Sequence, residues 1–237
     1  MCIRDRGHDG FIGSHVSEHL TSLGYTVDGL SFPDDIGDFK GGDYGLVVHL
    51  AAFANIRGSL DNPDLFWENN VEKSKPLFEW CRQTNTRILY ASSSSVHEWL
   101  IYPYAITKKV NEIQAPPNSV GMRFFNVWAE KNSRSDMLYR MLQDKTATYL
   151  TRHRRDWIHV HDIARAICFL MPDKFRGVLD VGTGENVSVL ELAEKMGMGH
   201  LPIKEDTPGE RDETRADTSQ LTKLGWHPTI KILDLAS

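Results

Sequence analysis

The chain has 237 residues, 41% apolar and 25% charged, with a net charge of −5 and both signs of charge interspersed. That balance suits one α/β domain with a small appended lobe and argues against a dedicated nucleic-acid binder, which needs a basic face to neutralise phosphates. No apolar run approaches the roughly 20 residues that cross a bilayer, and no signal-peptide pattern opens the chain. Cys2, Cys81 and Cys168 have neither zinc spacing nor the number for a disulfide framework. The expectation is a cytoplasmic protein with no metal, no membrane and no nucleic-acid partner.

Residues 1–6 carry three charges where the first strand of a parallel sheet is normally a near-continuous apolar run. The expectation there is a compromised first strand or a stretch foreign to the native chain. A glycine-rich turn follows, with Gly7, Gly10 and Gly13 three residues apart. Ile12, Val16, Leu20 and Leu23 then form one helical stripe that Gly24 ends. Further on, residues 25–30, 46–52, 87–91, 120–125 and 177–181 read as strands, and 70–82 and 160–171 as helices. Strands and helices alternating at this rhythm imply βαβ units and a parallel sheet.

A glycine turn between a strand and a helix lets the backbone approach a pyrophosphate, while the helix N-terminus supplies free N–H donors. The GxxGxxG spacing alone is weak; its place before an amphipathic helix strengthens it. Downstream, Tyr104 and Lys108 form a YxxxK unit, which puts both side chains on one helical face. A nearby ammonium stabilises a phenolate, so such a tyrosine can act as a general base. Ser92, Ser93, Ser94 and Ser95 lie just upstream at a strand's carboxyl end, where open α/β sheets bind ligands. No histidine set has convincing metal-ligand spacing.

Gly10-Phe11-Ile12-Gly13-Ser14-His15 and the run from Ala91 to Val96 resemble the extended short-chain dehydrogenase/reductases, especially the NAD-dependent nucleotide-sugar epimerases and dehydratases. Arg123-Phe124-Phe125-Asn126-Val127, the segment from Arg155 to Val160, Gly182-Thr183-Gly184-Glu185 and the stretch around Arg211 extend the likeness over nearly the whole chain. The resemblance implies a Rossmann-type doubly wound parallel sheet with a small C-terminal substrate-binding lobe. The cofactor domain would be 1–128 plus about 154–172, and the lobe about 129–153 plus 173–237.

It also implies roles. NAD would contact Gly7, Gly10, Phe11, Ile12 and Gly13. Ser31 would stand where the family usually places an acid for the adenosine ribose, so NADP remains possible. Asp35 and Ile36 would lie beside the adenine; Ala51, Ala52 and Phe53 would pass under the cofactor, with Asn70 following. Ser93, Tyr104 and Lys108 would be catalytic, and Tyr104 and Lys108 would also touch the cofactor. Ser93, Asn126, Arg155 and Arg211 would hold a nucleotide-sugar substrate, the two arginines at its phosphates. Family dehydratases typically put an acid at one or both positions after the catalytic hydroxyl; here Ser94 and Ser95 occupy them, which favours C4 epimerisation through a keto intermediate.

Departures from the family are short connections at 31–46 and between Ser93 and Tyr104, a catalytic helix cut short near Ala115-Pro116-Pro117, and Trp128-Ala129 for the usual Tyr-Gly. A homodimer through paired helices is possible on the resemblance. Two further readings stay open: an NADP-dependent nucleotide-sugar reductase or dehydrogenase, and a cofactor-binding protein with little catalysis.

Overall fold

The structure, a computed structural model, describes residues 2–7, 9–30, 39–131, 133–173, 175–205 and 211–235. In chain order the first part of the fold contains β1 (Cys2–Arg6), α1 (Phe11–Ser22), β2 (Thr26–Leu30), β3 (Leu46–His49), α2 (Gly58–Asp61), α3 (Pro63–Asn70), α4 (Lys75–Thr84), β4 (Arg87–Ser93), α5 (Pro103–Gln114) and β5 (Ser119–Phe124). Then come β6 (Asn126–Trp128), α6 (Leu138–Gln143), β7 (Arg154–His159), α7 (Val160–Leu170), β8 (Gly177–Val181), β9 (Asn186–Ser188), α8 (Val189–Lys195), α9 (Ser219–Leu224) and α10 (Ile232–Leu235).

Among the described residues, six strands form one sheet in the order β2-β1-β3-β4-β5-β8, and β6, β7 and β9 form a second. β1 runs parallel to both its neighbours, with Ile3 opposite Val27 on one side and Leu46 on the other. The expectation of a compromised first strand is therefore corrected: its ladder forms over all of Cys2–Arg6. Strand pairing is made by backbone N–H and C=O groups, so charged residues do not by themselves prevent it. The strand order reverses between β1 and β3, which makes their carboxyl ends a topological switch point, the usual ligand crevice of such a sheet.

The expected helix over 70–82 is also corrected. α3 ends at Asn70, a 3₁₀ turn fills Glu72–Ser74, and α4 begins at Lys75. Pro76 accounts for the break, because proline suits the first turn of a helix and clashes in its interior. α1 keeps part of its predicted stripe: Val16 and Leu20 are fully buried and Ile12 is half-buried, but Leu23 lies just past the helix and is 55% exposed; Gly24 after it takes φ +83°.

The chain divides into two compact units, Met1–Arg123 with Ala164–Leu179, and Phe124–Ile163 with Asp180–Ser237. Residues 124–128 and 154–163, assigned from sequence to the cofactor domain, thus fall in the second unit. The reason is pairing: β7 joins β6 and β9, not the large sheet. In the first unit Val47, Leu77, Phe78, Cys81, Ile88 and Tyr90 form a core cluster. In the second, Trp128, Tyr139, Leu142, Trp157 and Leu192 do so. Each large apolar side chain buried this way contributes roughly 1.5–3 kcal/mol.

Candidate active site

The glycine turn connects β1 to α1 and packs against the segment that follows β3. Gly7 has φ +98°, and a Cβ there would lie 2.9 Å from the Ala51 backbone nitrogen, so only glycine allows these strand ends to approach so closely. Gly10 caps α1 in an extended conformation without a side-chain cap, and the first turn of α1 carries no acidic residue. Its N–H groups and positive dipole end are therefore suited to an anion. This cradle fits a dinucleotide pyrophosphate. Phe11 and Ile12 are half-buried and Gly13 is buried in this turn. Ser31, Asp35 and Ile36 lie outside the described residues. Asp28, inside β2, accepts a hydrogen bond from the Tyr44 hydroxyl at 2.7 Å.

Asn70 is buried and its amide is consumed by protein. Its Oδ1 accepts from the Phe53 N–H at 2.8 Å, and its Nδ2 donates to the Phe53 carbonyl at 3.0 Å and to Thr107 Oγ1 at 3.1 Å. Asn111 Nδ2 donates to the Asn70 carbonyl at 2.9 Å. Asn70 thus fastens the loop holding Ala51, Ala52 and Phe53 to α5. Thr107 and Asn111, which the sequence did not single out, complete this anchor. Their only signal was a place on the same helical face as Tyr104 and Lys108.

α5 begins with Pro103 in its first turn and stops before Ala115-Pro116-Pro117, as proline restricts the residue preceding it. Its buried face consists of Tyr104, Ala105, Thr107, Lys108 and Asn111. Lys108 is 4% exposed, and its Nζ lies 5.9 Å from the centroid of the Tyr104 ring. That ammonium donates to the Ala91 carbonyl at 2.9 Å. Burial pushes the Lys108 pKa down to about 8. Ser93 ends β4 and is buried; its Oγ donates to Ser95 Oγ at 3.2 Å and accepts from the Ser95 N–H at 3.2 Å. Ser93, Tyr104 and Lys108 therefore belong to one buried region of the first unit, built from the end of β4 and the start of α5.

Asn126, Arg155 and Arg211 belong to the second unit. Asn126 opens β6 and is half-buried. Arg155 Nη1 donates to the carbonyls of Arg154, Arg211 and Asp212 at 3.1, 2.9 and 3.2 Å, so the two candidate phosphate arginines are brought together and one holds the backbone of the other. Beside them, Asp156 is fully buried. Its Oδ1 accepts from the Thr183 N–H and hydroxyl, both at 2.8 Å, and its Oδ2 from the N–H groups of Gly184 and Ala216 at 2.8 and 3.0 Å. Burial raises its pKa despite those four bonds. A Cβ on Gly182 would lie 2.5 Å from Ala216 Cβ and 2.9 Å from Asp156 Oδ2, which explains the glycine in this loop.

Residues 6–182 match the NAD dependent epimerase/dehydratase family. A putative UDP-glucose 4-epimerase of Methanocaldococcus jannaschii is 26% identical over 286 aligned positions, covering 95% of this chain and 93% of the relative. The alignment is longer than the chain, so part of the shortening is internal. Among solved structures, UDP-glucose 4-epimerase from Thermotoga maritima with UDP-glucose superposes with a TM-score of 0.87 at 21% identity, over all of this chain and 96% of that one. The NAD-dependent NDP-hexosamine 5,6-dehydratase TunA, of tunicamycin biosynthesis, superposes with 0.89 at 23% identity, over 99% and 95%. The likeness to both an epimerase and a dehydratase marks a shared Rossmann-type fold, and the sequence match over most of the chain assigns it: this protein belongs to the NAD dependent epimerase/dehydratase family, whose cofactor is NAD.

Proposed function

We propose that the chain is an NAD-dependent epimerase that inverts C4 of a nucleotide sugar through a keto intermediate. The observation that carries this reading is the arrangement of Ser93, Tyr104 and buried Lys108 at the junction of β4 and α5, with Ser94 and Ser95 where a dehydratase would carry an acid. When bound, NAD supplies the acceptor and donor of hydride. Tyr104 removes the proton from the sugar hydroxyl and later returns it. Lys108 places a positive charge beside the tyrosine ring, which favours phenolate. Ser93 hydrogen-bonds the reacting oxygen as charge develops there. Gly7, Gly10, Phe11, Ile12 and Gly13 receive the pyrophosphate, and Ala51, Ala52 and Phe53 form the adjoining floor that Asn70 holds. Asn126, Arg155 and Arg211 serve the sugar diphosphate.

The test is incubation with NAD and a panel of UDP-, GDP- and dTDP-sugars, with products resolved by chromatography. A C4 epimer with no net NADH supports the proposal. Stoichiometric change in reduced nicotinamide, with NADP and NADPH run alongside NAD, would favour the NADP-linked reductase or dehydrogenase reading, which Ser31 motivates. A 5,6-unsaturated or deoxyketo product would make the chain a dehydratase instead.

A further inference from the structure

Of the last three residues of β4, two bond to α5 and the third carries the candidate hydroxyl. Ala91 accepts from Lys108 through its carbonyl, Ser92 Oγ donates to Glu112 Oε1 at 2.6 Å, and Ser93 carries the candidate catalytic hydroxyl. Tyr104, Lys108 and Glu112 are spaced four residues apart, so they form one stripe along α5. The Glu112 side chain is only 4% exposed. It is held from β5 by Arg123, whose Nε donates to Oε1 at 2.7 Å and whose Nη2 donates to Oε2 at 2.9 Å. Lys109 Nζ lies 3.6 Å from Oε2. Burial alone would raise the carboxyl pKa, but the hydrogen bonds from Arg123 and Ser92 and the nearby positive charges leave it below the ordinary value.

A bidentate arginine–carboxylate pair has fixed geometry as well as strength. Through it α5 is pinned to two strands at once, at Ser92 on β4 and Arg123 on β5. A helix advances about 1.5 Å per residue, so a slip of α5 by one residue would carry Tyr104 out of reach of an atom that Ser93 also contacts. Misplacement by about 1 Å can cost about a hundredfold in rate.

We propose that Ser92, Glu112 and Arg123 form a positioning relay that sets the register of α5 against β4, so that Tyr104 and Ser93 address the same substrate oxygen. This rests on the reading of Tyr104 and Ser93 as the reacting pair. None of the three relay residues is assigned to substrate or cofactor. Glu112 acts through Ser92 and the helix, and Arg123 through Glu112.

The test compares wild type, Ser92→Ala, Ser92→Thr, Glu112→Gln, the Ser92→Ala/Glu112→Gln double variant and Tyr104→Phe. Each is assayed with NAD and the panel sugar nucleotide that wild type turns over fastest. Ser92→Ala should lower kcat about tenfold while KM and the NAD Kd stay within about twofold. Ser92→Thr, which keeps the hydroxyl, should recover kcat to within about threefold of wild type. The double variant should be no slower than Glu112→Gln, because both changes break one network. If Glu112→Gln fails to fold, Ser92→Ala carries the test, since it leaves the Glu112–Arg123 pair in place. An unchanged kcat in Ser92→Ala, a loss confined to KM or NAD affinity, or no recovery in Ser92→Thr overturns the relay. With Tyr104→Phe inactive, those outcomes leave the catalytic assignment standing. An active Tyr104→Phe, or a wild type silent on the whole panel, overturns both.

Discussion

Lys108 Nζ and the Ala91 carbonyl are 2.9 Å apart, and that bond ties a buried ammonium to the strand that ends in Ser93. Among the causes of the lowered Lys108 pKa, about 8, burial stands alone. The charge beside Tyr104 is therefore maintained at a cost to the fold, as is common where function dictates a buried ionised group.

Lys108→Met should abolish turnover and yet stabilise the protein near neutral pH, by about 2 kcal/mol after allowing for the lost bond to Ala91. The folded pKa, about 8, is below the 10.5 of an ordinary lysine. Between those values the unfolded chain binds more protons, so wild-type stability rises with pH across the window. Below about pH 8 the burial cost is fully present. Denaturant melts from pH 7 to 10.5 should thus show the variant's advantage shrinking as pH rises. An advantage constant with pH would contradict a charged Lys108 at pH 7.

Gly7→Ala tests the cofactor turn. The left-handed φ and the 2.9 Å approach to the Ala51 backbone leave no room for a methyl group. The variant should lose about 1–3 kcal/mol of stability and bind NAD at least about tenfold more weakly. Isothermal titration on the folded variant reads the second effect; wild-type affinity would remove the turn from the cofactor site.

Asn70→Ala separates positioning from contact. It strips partners from Phe53 and Thr107, so unfolding free energy should fall by about 2 kcal/mol. A variant as stable as wild type that merely lost NAD affinity would make Asn70 a direct cofactor ligand.

Asp156→Asn should destabilise the second unit by at least about 2 kcal/mol. Both carboxylate oxygens accept two bonds each, so either amide orientation sets an NH₂ group against two donors. Because burial raises this pKa, the folded state binds the extra proton. Ionisation of Asp156 accordingly subtracts stability as pH climbs from 3.8 through the raised value, and the wild-type melting curve should carry that slope while the variant's lacks it.

Much of the first unit was legible because its signals are local. The stripe of α1, the apolar run of β3 and the YxxxK spacing on α5 each follow from a few adjacent residues. What escaped the sequence reading depends on contacts between distant segments. Asn70 looked like the start of a helix because the residues after it are helical, but Pro76 forces a break and leaves Asn70 at the end of α3. Its partner Phe53 is 17 residues away and Thr107 is 37 away, separations that periodicity cannot register. β1 is the reverse case: its charged residues read poorly, yet strand formation was decided by two parallel neighbours. Arg155 read as a phosphate ligand, while part of its hydrogen-bonding capacity goes to the Arg211 and Asp212 backbone, which no residue-type rule anticipates.

In the proposed reaction C4 is transiently oxidised while Tyr104 transfers the proton. The decisive experiment incubates UDP-glucose and its panel relatives, deuterated at C4, with NAD and either wild type or Tyr104→Phe. Hydride return from the cofactor should give a C4 epimer that retains the deuterium and, in Tyr104→Phe, a rate lower by about 10²–10⁴-fold with NAD affinity unchanged. An epimer that has lost its deuterium to solvent, or full activity in Tyr104→Phe, would contradict it.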